Sequence, residues 1–229
     1  MKEQVTVLID ADSIIFASAV TSDTFEDAKD KYDYKINEVL DLMSSLYEID
    51  GFSVFSGSKG NFRKKITPSY KANRRDMDIP VHLNALHSYS KEFWSAKYVY
   101  GAETDDLIAS YWQKLTSEGK KVIIVAIDKD YKQFPAAIYN YQKREWYKID
   151  ELEALKNFYT QMIVGDSADN IKVCKGKGKS FAEKLLSPLT SKYQIVKAVY
   201  SLYKEFYKGK AKLKYIETYN LLKLRTDVG

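Results

Sequence analysis

The sequence predicts a three-layer α/β fold, a mostly parallel sheet with helices on both faces. Two features carry this expectation. Short apolar, β-branched runs alternate with longer segments of helical period, and acidic residues recur where those runs end. The runs at 5–9, 52–55, 98–100 and 122–127 read as strands. Helices are expected at about 35–48, 80–94, 104–118 and 149–164. The third opens on Thr104 as its N-cap, with Leu107, Ile108, Tyr111 and Leu115 forming one apolar face.

The segment at about 57–80 is polar and strongly basic, and too long for a simple connection, so it is read as functional rather than as a linker. Beyond Gly165 the chain becomes lysine-rich, passes a turn containing Gly176 and Gly178, and reads as helical to about Arg225. The expected organisation is therefore an α/β core over 1–164, including the basic segment, and a helical region over 165–229.

Composition narrows the function class. A chain that is 45% hydrophobic and 29% charged is too apolar for a disordered protein. The 36 Lys and Arg against 31 Asp and Glu give a formal charge of +5, which points toward a polyanionic partner. One cysteine, Cys174, excludes an intrachain disulfide and a cysteine-rich zinc site. With no apolar run long enough for a signal peptide or a membrane span, a cytoplasmic protein without membrane contact is expected. His82 and His87 stand five apart, off any shared helical face, and read as ordinary helix residues.

The acids hold the chemistry. Asp10 and Asp12 follow the first run, Glu103, Asp105 and Asp106 the third, and Asp128 and Asp130 the fourth; Asp166 and Asp169 follow the next helix. Strand ends of a parallel sheet share one edge, where ligands bind, so these acids are expected to converge. Carboxylates packed together repel and take up protons unless a cation neutralises them, and ligation by oxygen alone suits Mg²⁺ or Mn²⁺. Two such ions can orient a phosphate and lower the pKa of an attacking water, the two-metal route to phosphodiester cleavage.

Several motifs, in order along most of the chain, resemble the flap endonuclease family, in particular bacterial and bacteriophage 5′-nucleases of the type found at the N-terminus of DNA polymerase I. Val7-Leu-Ile-Asp-Ala-Asp12 is similar to the first metal-binding motif, and Phe62-Arg63 with Tyr70-Lys-Ala-Asn-Arg74 to the helical arch. Ala102-Glu-Thr-Asp-Asp106, Ile127-Asp-Lys-Asp130 and Gly165-Asp-Ser-Ala-Asp-Asn170 resemble the three later acidic motifs, and Leu224-Arg-Thr-Asp-Val228 the closing segment.

The resemblance implies a PIN-like nuclease core acting on DNA with 5′ ends, flaps or nicks. Asp10, Glu103, Asp105 and Asp106 would hold the ion nearest the scissile phosphate. Asp128, Asp130, Asp166 and Asp169 would hold or position the second. Lys71 and Arg74 would act on the phosphate with Asp10 in the catalytic set, and Tyr70 would stack on a base. Arg63, Lys64, Lys65 and Arg75 would add arch contacts to DNA. Lys175, Gly176, Lys177, Gly178 and Lys179 would form a helix–three-turn–helix hairpin that grips duplex backbone and carries a K⁺ ion. RNA–DNA hybrids as further substrates, replication proteins as partners and a monomeric state complete what it implies.

The sequence departs from the family pattern at Ser56, where an aspartate is usual, and Asp12 is expected to compensate as a metal ligand. At the hairpin, Val173 stands near a usual glycine and Lys177 replaces a usual apolar residue. Three alternatives set the contrast: a branched-DNA binding protein of the same fold with weakened catalysis, a haloacid dehalogenase-type phosphatase with Asp10 as nucleophile, and a PIN-type ribonuclease.

Overall fold

The computed structural model describes residues 2–74 and 78–228. Six strands form one sheet in the order β3-β2-β1-β4-β5-β6: β1 (Gln4–Asp10), β2 (Glu48–Lys59), β3 (Lys97–Tyr100), β4 (Val122–Val125), β5 (Ala137–Asn140) and β6 (Glu145–Lys148). All neighbours are parallel except the β5–β6 pair. The β5–β6 hairpin escapes sequence reading because its strands are short and Trp146 and Tyr147 sit among charges.

Side-chain alternation separates the layers. Val5, Val7, Ile9, Ile123 and Val125 face α1 (Asp12–Val20), α2 (Phe25–Leu46) and α4 (Leu83–Phe93). Leu8, Phe55, Val122, Ile124 and Ile138 face α5 (Thr104–Ser117) on the other side. Two expectations need correcting. α2 begins ten residues before the predicted start, capped by Thr24, whose side chain accepts from the Asp27 amide. α5 takes Glu103 rather than Thr104 as its N-cap, and Asp106 in the first turn accepts from the Glu103 amide.

The remaining helices are α3 (Arg63–Ile66), α6 (Glu151–Val164), α7 (Lys179–Leu186), α8 (Lys192–Tyr207) and α9 (Ala211–Leu222). The last four enclose a further core built on Phe158, Met162, Ile163, Ile195, Val199 and Tyr203. Gly165 ends α6 at φ +77°, where a Cβ would run into the Ile171 carbonyl oxygen, so glycine is required there. Between β2 and α4 the described residues hold only the single turn of α3 and a 3₁₀ turn, Ala72–Arg74, in place of a long arch helix. Among the described residues no helix is long and apolar enough to cross a membrane.

Candidate active site

Parallel order places the C-terminal ends of β1, β3 and β4 on one edge, and a cavity of about 540 Å³ opens there. Eight predicted acids line it: Asp10, Asp12, Glu103, Asp105, Asp128, Asp130, Asp166 and Asp169. Lys71, Arg74, Lys129, Thr104, Ser13 and Ser58 complete most of the rim.

Each acid is fixed by a specific donor. Asp10 accepts from the Tyr131 hydroxyl at 2.7 Å and the Asp12 amide at 3.2 Å. Asp12 receives the Gly57 amide on one oxygen and the Thr104 hydroxyl on the other, both at 2.7 Å. Asp128 caps the 3₁₀ turn Lys129–Gln133 through the Asp130 amide, and the Gln161 side chain donates to Asp130. Asp166 takes the Ala168 amide at 2.8 Å and pairs with Lys129 at 2.8 Å.

Electrostatics follow from the crowding. Burial, then the charges of Asp12 and Asp128, raise the Asp10 pKa to about 7 against the relief given by Tyr131. Burial and Asp128 likewise raise Asp130 to about 7. Asp105 is pushed well above the carboxylate range by burial, Glu103 and Asp106. Burial also disfavours a charge on Glu103, yet Lys71 and Arg63 outweigh it and hold this carboxyl below its usual value. This donor set fits a divalent cation: it is all oxygen, a Glu103 and an Asp105 oxygen lie within 4.8 Å of each other at the cavity wall, and buried neighbours hold protons that a cation would displace.

Several expected roles change. Asp106 is fully buried behind the cavity; its oxygens accept Arg63 at 2.6 and 2.8 Å, the Arg225 amide at 2.9 Å and the Glu103 amide at 3.1 Å. With both oxygens taken by donors, it positions Glu103 and Arg63 rather than presenting a free carboxylate. Arg63 is no DNA contact, being 1% exposed and also bonded to the carbonyls of Leu221 and Lys223. A lone buried carboxylate needs such a partner. Tyr70 is buried too, and its hydroxyl donates to Glu103 at 2.7 Å and Asp169 at 2.8 Å, so its ring offers no face to a base.

Lys71 and Arg74 do reach the cavity. Lys71 pairs with Glu103 and lies 3.6 Å from Asp169, while Arg74 pairs with Asp169 at 2.9 Å. Lys64, Lys65, Lys175, Gly176, Gly178 and Lys179 are exposed and Lys177 is half-buried, its ammonium 4.1 Å from the centre of the Phe181 ring. Arg75 lies outside the described residues. Ser56 is fully buried and turned away from the cavity, its hydroxyl donating to Ser90 at 3.2 Å.

Sequence reading missed Tyr131, Gln161, Thr104 and Lys129, which hold the acids, and His87, whose Nδ1 lies 3.9 Å from Asp12. Only Lys129 carried a signal, as the cation between two predicted ligands.

A parallel sheet that gathers so many carboxylates at one edge, under a lysine and an arginine, defines a divalent-cation site of the kind used in phosphate-ester chemistry. The chain belongs to the family described as 5′-3′ exonuclease, N-terminal resolvase-like domain, whose model matches residues 5–162. It is 26% identical over 187 residues to a 5′-3′ exonuclease of Buchnera aphidicola subsp. Schizaphis graminum, covering 74% of this chain and 65% of that one. It is 28% identical over 155 residues to the flap endonuclease Xni of Vibrio campbellii, covering 61% and 57% respectively. The chain thus spans less than two thirds of the length of these relatives.

Solved structures share the fold. The T5 D15 protein co-crystallized with metal ions superimposes with a TM-score of 0.66 at 18% identity, covering 96% of this chain and 90% of that one. The catalytic core of Rad2 in complex with DNA substrate gives 0.54 at 15% identity, covering 98% and 76%.

Proposed function

We propose that the protein is a structure-specific 5′-nuclease, a 5′-3′ exonuclease and flap endonuclease that hydrolyses DNA phosphodiester bonds with two divalent cations, Mg²⁺ or Mn²⁺. The observation that carries this reading is the single cavity in which eight carboxylates stand beneath Lys71 and Arg74. Asp10, Asp12, Glu103 and Asp105 would hold one ion, and Asp128, Asp130, Asp166 and Asp169 would hold or position the other. When bound, such ions neutralise the acids, orient the scissile phosphate and make water a nucleophile near neutral pH.

The chain's own groups do the rest. Lys71 and Arg74 exchange their carboxylate partners for the substrate phosphate and stabilise the charge that builds on it, Arg74 through a planar fork and Lys71 as a point charge. Tyr131, Gln161, Thr104 and the Gly57 amide fix the acids before substrate arrives. Asp12 supplies the carboxylate that Ser56 lacks, because its side chain reaches the cavity from the first residue of α1, just past the end of β1 and bonded to the Gly57 amide of β2.

Duplex grip is assigned to the region 165–229, which holds 14 of the 36 Lys and Arg but 6 of the 31 Asp and Glu. Its net +8 leaves −3 on residues 1–164, so the excess positive charge is concentrated in the helical region. The turn Lys175–Gly178, with Lys179 opening α7, would meet the backbone, with a K⁺ ion at the hairpin as part of the reading. Cleavage of RNA–DNA hybrids, action as a monomer beside replication proteins and a cytoplasmic setting are further parts of it. The test is cleavage of 5′-labelled flap, nicked duplex and RNA–DNA hybrid side by side, with Mg²⁺, with Mn²⁺ and with chelator. Binding of the flap without shortening in either metal would replace this reading by a catalytically weakened DNA-binding protein.

A further inference from the structure

The carboxylate cavity does not end at Asp12. Across that side chain a second cavity, of about 620 Å³, lies between the ends of β2 and β3 and helix α4, and Asp12 and Ser58 line both. The wall of the second has the opposite character. Lys59, Lys91, Asn84, Ser88 and Tyr98 face it, and Asp12 is its lone carboxylate, with both oxygens already engaged by the Gly57 amide and the Thr104 hydroxyl.

Lys59 and Lys91 make no ion pair among the described residues, unlike Lys71 and Arg74 next door. Lys91 is held in place, its ammonium 4.0 Å from the centre of the Tyr98 ring. Close packing of α4 on β2 forms the floor. Gly57 at φ +74° allows it, since a Cβ there would stand 3.3 Å from His87 Nδ1, a buried atom with no hydrogen-bond partner. Two uncommitted cations, a hydroxyl and an amide in one concave wall are the chemistry of a phosphate site.

We infer that this second cavity is a strand subsite: it takes the phosphate of a nucleotide adjacent to the scissile one, on Lys91 and Lys59 with Ser88 and Asn84 donating, while the Tyr98 ring meets its base. The inference rests on the nuclease reading and says where the single strand runs. A shared wall lets a strand lying across the carboxylates enter the cavity without leaving the protein. Covalent connection also matters. A free anion must approach a region rich in carboxylates, whereas a phosphate tethered to a bound neighbour arrives at high effective concentration.

The test uses the full chain in chelator and reads binding by fluorescence anisotropy, so it does not depend on cleavage. Single-stranded oligonucleotides carry a neutral methylphosphonate at successive positions and are bound by wild type, Lys91→Ala, Lys59→Ala and Lys91→Arg. One neutral linkage is expected to weaken wild type about 5- to 10-fold and to weaken Lys91→Ala no further, with Lys91→Arg restoring the effect. Lys91→Ala should also flatten the slope of log affinity against log salt by about 0.7, as for one phosphate contact on a single strand. Additive losses from the neutral linkage and Lys91→Ala, or no loss from either, would overturn the subsite.

A thermal midpoint within about 2 °C of wild type certifies each variant, and Lys59→Ala carries the same cycle should Lys91→Ala unfold. Displacement of the strand by a free deoxynucleoside monophosphate from wild type but not from Lys91→Ala would give the cavity to a free nucleotide and overturn the strand assignment. Flap cleavage without this coupling sinks the subsite and leaves the nuclease reading standing. Coupling in a protein that cuts nothing does the reverse.

Discussion

Replacing Asp10 by Asn removes a charge that the folded protein tolerates poorly, and it should stabilise the protein in chelator while removing the share of Mg²⁺ stabilisation that comes from the ion it holds. Below about pH 4 the Asp10 carboxyl is protonated both folded and unfolded and contributes nothing. Between its ordinary value of 3.8 and its folded value of about 7, the unfolded chain gives up the proton while the folded one keeps it, so stability falls as pH rises and levels off above pH 7. A rise of this size sets a ceiling of about 4 kcal/mol on the deficit.

Asn weakens the contacts with the Tyr131 hydroxyl and the Asp12 amide, at a cost of about 1–2 kcal/mol. The net gain at pH 8 is then about 2 kcal/mol, which raises the midpoint by about 4–8 °C in a chain of this size. At pH 4.5 the gain vanishes or turns into a small loss. Mg²⁺ at 100 times the dissociation constant of the ion site that Asp10 lines should add about 2.7 kcal/mol through that site to wild type and little through it to Asp10→Asn, reversing their order. Thermal unfolding at pH 4.5 and 8, each with chelator and with Mg²⁺, reads all four states. An equal shift at both pH values, or equal stabilisation of both proteins by Mg²⁺, would refute the reasoning.

Arg63→Ala strands the fully buried Asp106 and should cost about 3–5 kcal/mol in urea unfolding; unchanged stability with weakened DNA binding would return Arg63 to the DNA surface. Lys71→Ala should lower single-turnover cleavage about 10²- to 10³-fold with a small change in flap affinity, as measured by rapid quench and anisotropy. Asp12→Ala should reduce Mg²⁺-dependent cleavage at least about 10-fold and raise the Mg²⁺ concentration required, whereas Ser56→Ala, whose hydroxyl faces Ser90, should leave both unchanged. Gly165→Ala should destabilise by about 2–4 kcal/mol in the same urea assay, because its Cβ meets the Ile171 carbonyl in a left-handed conformation.

What the sequence discloses about such a site, and what it withholds, follows from which forces are local. Strand β4 and the Val7–Ile9 stretch of β1 are apolar because both faces are covered, and a run of that kind is visible without neighbours. Their acids follow directly, since topology sends every parallel strand end to one edge. Partner choice is not local. Arg63, Tyr70, Lys71 and Arg74 stand in one polar, basic stretch that reads as a solvated arch, yet the fold divides them by depth.

Arg63 goes to a carboxylate with no access to water, Tyr70 bridges two acids under the cavity, and only Lys71 and Arg74 stop at its rim. Electrostatics requires some such division. Many acids at one edge cannot all be neutralised by exchangeable cations if the site is to persist when those cations leave, so part of the counter-charge must be built into the chain. The same demand explains Asp106, which matches the family's acidic motif in sequence but is committed in space to holding Arg63. A motif fixes residue type and spacing; whether a carboxylate takes a cation from the chain or from solution depends on which of its oxygens water can reach.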